Sequence, residues 1–223
     1  MAFACNPFRI AMTTVLHPLL KRDDSMAESS TSSVTRPRGR PRSETARQAI
    51  LDATKTLLET TTVRDLTIEA IARTAGVGKT TIYRWWPSKA AVVIDTLEAT
   101  TPRARLSECQ SVTAALSEQL KLLIEQYRGP YGRIMAELIA EGQANPELLA
   151  EFREHFLMRR RAVARDLIEY GKAIKEFDPN IDTDLVCDMI YGSFYYRLLI
   201  GHLPLDAAFA EALPKHVFGA LYA

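Results

Sequence analysis

A helix stop and a helix start crowded around Gly76 constrain this chain more than any other feature. In residues 67–89, TIEAIARTAGVGKTTIYRWWPSK, the apolar residues Ile68, Ile71, Ala72 and Ala75 recur at the spacing of one buried helix face. Thr67 is placed to cap that helix, since its hydroxyl can accept from a free backbone N–H of the first turn. Glu69 adds negative charge near the positive end of the helix dipole. Gly76 falls where the helix must stop, at a position that favours a left-handed residue. Val77 turns inward. Residues 78–85 then predict a second short helix with Ile82 in the core and Lys79, Thr80, Thr81 and Arg84 exposed. Pro87 ends it, and Ser88 caps a third helix with Lys89 in its first turn.

Two helices, a Gly-containing turn and a small polar-basic face are the pattern of a helix-turn-helix that reads DNA. A second helix this short fits a major groove, where its side chains reach base edges. The run TIEAIARTAGVGKTTIYRWWPSKAAVV resembles the DNA-binding domain of TetR-family transcriptional regulators. The resemblance is carried by the Thr67 cap, Ala72, the Ala75-Gly76-Val77 turn, Thr81, Ile82, Tyr83 and Lys89. It covers about a quarter of the chain closely and the helical remainder in pattern. Gly78 stands where the family often has Ser, and Trp85-Trp86 is bulkier than the usual aromatic pair. The resemblance implies that Thr67, Thr81, Tyr83 and Lys89 hold phosphates. Lys79, Thr80 and Arg84 face the bases: Lys79 can donate to guanine, and Thr80 can meet a thymine methyl.

Composition supports a DNA-facing end. The formal net charge of +1 conceals an asymmetry: residues 36–90 carry 11 Lys/Arg against 5 Asp/Glu, whereas residues 91–223 carry 14 against 19. A cationic segment beside an anionic remainder predicts that one end meets a polyanion. At 47% hydrophobic and 25% charged, the 223 residues suit a soluble globular protein with a substantial core. No apolar run approaches the ~20 residues that span a bilayer. Cys5, Cys109 and Cys187 are far apart and odd in number, which argues against a disulfide framework and fits a reducing cytoplasm.

The order along the chain predicts three parts. Residues 1–35 read as a disordered extension, with residues 1–25 dispensable and Met26 a working initiator. Residues 36–90 hold a basic arm and the helix-turn-helix. In the arm, Arg36, Arg38, Arg40 and Arg42 alternate with Pro and Gly, so it cannot be helical. Arg38, Arg40 and Arg42 are candidates for phosphate or minor-groove contact. Residues 43–60 form the first ordered helix, with Ile50, Ala53 and Leu57 inward, and residues 88–100 form a helix packed between domains.

Residues 91–223 are helical throughout. Helix runs over 112–127, Gly129-Pro130 breaks it, helix resumes over 134–144, and Asn145-Pro146-Glu147 is a clear start signal. A long helix over 146–175 places Phe152, Phe156, Val163, Leu167 and Tyr170 on one stripe, with Arg159, Arg160, Arg161 and Arg165 as a solvated or ion-paired run. The helix over 182–202 is apolar around most of its circumference, so it must be covered on two sides. One side meets the core and the other a partner subunit. The resemblance implies the same: a homodimer held by a four-helix bundle of these two helices. Candidate dimer residues are Phe156, Val163, Leu167, Met189, Tyr196 and Leu199. Candidate effector-lining residues are Phe152, His155, Phe156, Tyr191 and Tyr195. The last helix, 205–222, is broken or bent at Pro214.

Other chemistries lack their residues. Gly78-Lys79-Thr80 is not a phosphate-binding loop, because Arg73 occupies the position of the required first Gly. No GxSxG surrounds a serine, and His17, His155, His202 and His216 have no metal-ligand spacing. No cofactor, metal or catalytic residue is expected. The reading is an all-α protein: an N-terminal three-helix helix-turn-helix domain followed by a helical ligand-binding and dimerisation domain. It binds double-stranded DNA and a second copy of itself, and responds to a small-molecule effector as a repressor. The alternatives are a constitutive DNA binder without an inducer and a helical enzyme that carries a helix-turn-helix.

Overall fold

The fold is given by a computed structural model that describes residues 43–101, 111–219 and 221. The expectations for residues 1–35, for Met26 and for Arg38, Arg40 and Arg42 lie outside them. Among the described residues all regular structure is helical.

The N-terminal unit is α1 (Glu44–Leu58), α2 (Ile68–Ala75) and α3 (Lys79–Tyr83). Ser43 caps α1, its Oγ accepting from Ala46 N. Thr67 caps α2 in the same way, accepting from Ala70 N at 3.1 Å. Gly76 ends α2 at φ 66°, in the left-handed region, and Val77 N donates back to Ala72 O at 3.0 Å. A side chain at Gly76 would be strained by its backbone alone, by about 1–2 kcal/mol. Gly78 opens α3 without a side-chain cap, the consequence of a glycine where a serine would cap. Ile50, Leu58, Val63, Leu66, Ile71 and Ile82 close the core of this unit.

Helix α4 (Lys89–Ala99) joins the two halves. It packs on α1 at one side and on α7 (Pro146–Phe152) at the other. Val92, Val93, Ile94 and Leu97 are therefore all buried. The predicted boundary at residue 90 falls inside this continuous helix.

The C-terminal half contains α5 (Val112–Tyr127), α6 (Pro130–Ala144), α7, a π-helical turn (Arg153–Leu157), α8 (Met158–Ala173), α9 (Thr183–Ile200) and α10 (Ala207–Gly219). Helix α5 is central, packing against α6, α8 and α10. Its free N-terminal amides at Val112 and Thr113 donate to the Glu176 carboxylate at 2.9 and 2.8 Å, a favourable place for an anion. At the α5–α6 junction a Cβ on Gly132 would lie 1.9 Å from Tyr127 O. Only glycine lets α6 start so close to the end of α5. Of the break or bend expected at Pro214, the break is absent: helix α10 runs through it without interruption.

The π-helical turn alters the face of the long helix. It inserts one residue per turn beyond α-helical spacing, so Phe152, Phe156, Arg160, Ala164 and Ile168 fall in one line at steps of four. Phe156, Leu167 and Ile168 are fully buried in the protomer, and Phe152 and Ala164 nearly so. This corrects two dimer candidates. Phe156 and Leu167 belong to the protomer core, and Val163 is partly buried against that core. Met189, Tyr196 and Leu199 are exposed, and they share α9 with exposed Leu185 and Ile200.

Candidate functional site

Three regions bear on function: the outer face of α3, the supports behind it, and a polar cluster within the C-terminal bundle. On α3, Ile82 is fully buried while Lys79, Thr80, Tyr83 and Arg84 face outward and Thr81 is half-buried. The amphipathic split expected for this helix is therefore present. The Lys79 ammonium is 2.9 Å from Glu69 Oε1 on α2. That hydrogen bond holds the Glu69 carboxyl below its usual range and raises the Lys79 ammonium above its own, so both groups stay charged. Thr67 is exposed at the start of α2, with its hydroxyl oxygen already used as a cap.

Lys89 is only half-exposed. Its ammonium donates to Val63 O at 2.6 Å and Arg64 O at 3.0 Å. Two of its three protons thus tie the α1–α2 loop to the start of α4. One proton is left for an external acceptor.

The supports behind α3 were not foreseen. Trp86 is buried, and its indole N–H donates to Asp95 Oδ2 at 3.0 Å. The same oxygen accepts from the Arg47 guanidinium on α1. That guanidinium lies 5.8 Å from the centre of the Trp85 ring and 5.7 Å from that of Trp86. The bulky pair after Tyr83 is therefore a bracket joining α3 to α1 and α4, fixed by cation–π contact and one shared carboxylate oxygen. Asp95→Ala would leave the shielded Arg47 charge and the Trp86 N–H without their acceptor. It is expected to lower the unfolding free energy by about 2–3 kcal/mol; a denaturant titration showing less than ~0.5 kcal/mol would remove the bracket's importance.

A second clamp joins the reading head to the bundle. Val63 N donates to Glu137 Oε2 at 2.8 Å, and Arg133 donates to Leu58 O while pairing with Glu137 at 2.7 Å. Ser88 Oγ donates to Glu151 Oε2 at 2.7 Å. Helices α6 and α7 thus grip both ends of the segment that precedes α2 and α4.

Inside the bundle the structure gathers part of the expected effector lining. Phe152 and Phe156 stack at 5.3 Å. Tyr191 and Tyr195 are half-buried: Tyr191 OH donates to Arg160 O at 3.0 Å, and Tyr195 OH lies 3.3 Å from Tyr127 OH. His155 is exposed and belongs to none of this; on the π-helical turn its side chain falls on the outer side. The cluster adds Tyr127, Tyr131, Phe194 and Arg160. Burial raises the hydroxyl pKa of Tyr127, Tyr191 and Tyr195, and pushes that of Tyr131 up to about 12. All four therefore remain neutral O–H groups at ordinary pH.

Arg160 departs from the solvated or ion-paired run expected for it. Its guanidinium lies 4.3 Å from the centre of the Phe156 ring and donates to Tyr131 OH at 3.1 Å and to Thr101 Oγ. The spacing of four from Phe156 was the available signal. The rest of the run behaves as expected: Arg161 pairs with Asp184 and Asp188, and Arg165 with Asp184. An open cleft toward the C-terminal end of α9 shares Tyr127 with the tyrosine cluster and is otherwise lined by Arg128, Arg197, Leu198, His202 and Leu205 among others. None of the candidate effector residues lines it. Among the described residues no cluster of His, Cys, Asp and Glu could hold a metal, and no helix is long and apolar enough to cross a membrane.

Comparison with known proteins agrees with this geometry. The family model described as bacterial regulatory proteins, tetR family, matches residues 50–96. The one described as tetracyclin repressor-like, C-terminal domain, matches residues 108–217. The chain is 34% identical over 187 residues to the uncharacterized HTH-type transcriptional regulator YdeS of Bacillus subtilis, covering 83% of this chain and 94% of that one. It is 28% identical over 161 residues to the HTH-type transcriptional regulator AqdR of Rhodococcus erythropolis, covering 72% and 76%. Among solved structures, the TetR family transcription regulator SCO0332 superposes with a TM-score of 0.67 at 33% identity, over 80% of this chain and 99% of that one. FadR from Bacillus subtilis in complex with stearoyl-CoA shares the fold, with a TM-score of 0.60 at 16% identity over 80% and 99%.

Proposed function

Because the chain belongs to the TetR family of transcriptional regulators, we propose that it is a repressor that binds a pseudo-palindromic operator as a homodimer and lets go when a small molecule occupies the bundle. The observation that carries the DNA-binding part is the split of α3: Ile82 fully buried, with Lys79, Thr80, Tyr83 and Arg84 facing outward. A helix bracketed at its base by Trp86 and Asp95 can enter a major groove as a rigid unit, with Lys79 and Thr80 at base edges. Thr67, Thr81, Tyr83 and Lys89 then fall to phosphates, which set register without reading sequence.

The stripe Leu185, Met189, Tyr196, Leu199 and Ile200 on α9 supports the dimer. Each is at least 40% exposed, and their spacing keeps them on one helix face. A contiguous apolar face of this kind marks an interaction surface. Two copies related by a two-fold axis would present two α3 helices to successive major-groove faces. A constitutive DNA binder is the lesser reading, because the tyrosine–arginine cluster gives the bundle a polar interior that a purely structural core does not need.

Lys79→Ala is expected to weaken operator binding by about 1–3 kcal/mol and to relax preference at one base pair. Lys89→Ala should weaken operator and random DNA alike, and also lower thermal stability, because the Val63 and Arg64 carbonyls lose their donor. Fluorescence anisotropy on operator and scrambled duplexes separates the two. Equal losses on both duplexes for Lys79→Ala would overturn its role as a base reader.

A further inference from the structure

Within the described part of the bundle, one cation stands out. Arg160 has no carboxylate within ion-pair distance among the described residues, although its neighbours Arg161 and Arg165 both do. Its Nε is inaccessible to solvent and has no hydrogen-bond partner among the described residues. A guanidinium presents Nε–H and one Nη2–H side by side along one edge, the edge a carboxylate takes with two parallel hydrogen bonds. Here Nη2 donates to two neutral hydroxyls, Thr101 Oγ and Tyr131 OH, and Nε meets no acceptor among the described residues. Arg160 as a whole is half-buried, but leaving its inaccessible Nε–H without an acceptor is costly unless something else completes it.

The surroundings define what would complete it. The Phe156 ring and the Tyr131 phenol flank the guanidinium, and Tyr127 and Phe194 continue the ring cluster behind Tyr131. At the same end of α4, Glu98 Oε2 and Gln126 Oε1 are also buried without partners, and Gln126 Nε2 donates to Thr100 O. These two oxygens accept hydrogen bonds and cannot satisfy an anion, so the anion's place is the Arg160 edge.

We propose that Arg160 anchors the carboxylate of a small organic acid with an apolar body, which takes the Nε–Nη2 edge and loosens the Tyr131 and Thr101 hydroxyls held at Nη2. This deepens, and rests on, the reading of the chain as an effector-responsive regulator. The site is connected to the reading head. Tyr131 lies in the first turn of α6 with Arg133, and Glu137 follows one turn later; these two hold Leu58 O and Val63 N. Thr101 follows the C-terminal end of α4, whose opposite end carries Lys89. A ligand that takes over the Arg160 edge therefore releases hydroxyls on both elements that position the α1–α2 loop. It acts only through its different affinity for the two arrangements.

The test uses the full-length protein, labelled with ¹⁵N. The Arg160 Nε–H resonance is assigned by its loss in Arg160→Lys and followed during titration with sodium benzoate, phenylacetate and octanoate at constant ionic strength. Benzamide and inorganic phosphate serve as comparison arms. At least one carboxylate is expected to move the resonance downfield in a saturable way, while benzamide does not. Arg160→Lys, with its melting temperature checked, should bind that carboxylate at least about tenfold more weakly, because lysine lacks the fork. No movement with any of the three carboxylates overturns the proposal, as does equal movement with benzamide. Tighter binding of phosphate than of all three overturns the choice of carboxylate. Operator binding is measured on the same samples; its persistence without any carboxylate response would fail the anion site and leave the DNA-reading assignment standing.

Discussion

Met189→Glu combined with Leu199→Glu is expected to turn a dimer into monomers and to lower operator affinity by about 10²–10⁴-fold. Met189 and Leu199 are 40% and 44% exposed in the protomer, so the substitutions leave its core intact. In a two-fold interface each change is made twice. Burying four unpaired carboxylates against an apolar face costs several kcal/mol each. The operator loss follows without any change at α3. A single reading head no longer benefits from the effective concentration that the second one supplies. Sedimentation velocity gives the mass, and anisotropy on full and half operators gives the affinity. The half-site affinity should be unchanged. A variant that still sediments as a dimer would remove α9 from the interface.

Phe156→Ala is expected to lower the unfolding free energy by about 3–5 kcal/mol, the range for deleting a buried aromatic ring. Phe156 is fully buried, stacks on Phe152 at 5.3 Å, and carries the Arg160 guanidinium 4.3 Å from its centre. Removing it leaves a cavity, and the half-buried Arg160 guanidinium loses its aromatic face. The result separates two roles that one residue could have had. As a core residue, Phe156→Ala lowers the denaturation midpoint while the protein below that midpoint keeps its association state. As an interface residue it would shift the association constant with little change in protomer stability. Chemical denaturation at two protein concentrations distinguishes these outcomes.

Both predictions turn on the same distinction, between an apolar residue that faces its own protomer and one that does not. Periodicity finds apolar positions well. It fails to say which of two apolar sides is inward when a helix is apolar nearly all round, as α9 is. It fails again where a π-helical turn shifts the phase, as at Arg153–Leu157. That shift moved Arg160 from a supposed solvated run into the bundle, while His155 came to lie on the outside.

The caps, by contrast, were readable because they are local. Ser43, Thr67, Ser88 and Asn145 each accept from a backbone N–H three residues later, and Ser111 and Asp182, which the sequence reading does not single out, cap their helices in the same way. Gly76 takes the left-handed conformation for which only glycine is unstrained. Interactions between a side chain and its own next turn depend on few neighbours, so the residue type and its position suffice. These signals, with the buried line through Ile71 and Ile82, settled the all-helical class, the helix-turn-helix and its outward basic face.

The amino-acid order therefore determined where helices begin and end, and which short helix carries Lys79 and Thr80. Only the packed molecule decided that Trp86, Asp95 and Arg47 form one bracket, that Glu137 reaches Val63 across 74 positions of chain, and that Arg160 lies inward among rings. Such contacts join residues far apart in the chain. Their free energies depend on burial and on partners brought by other helices, which no local pattern encodes.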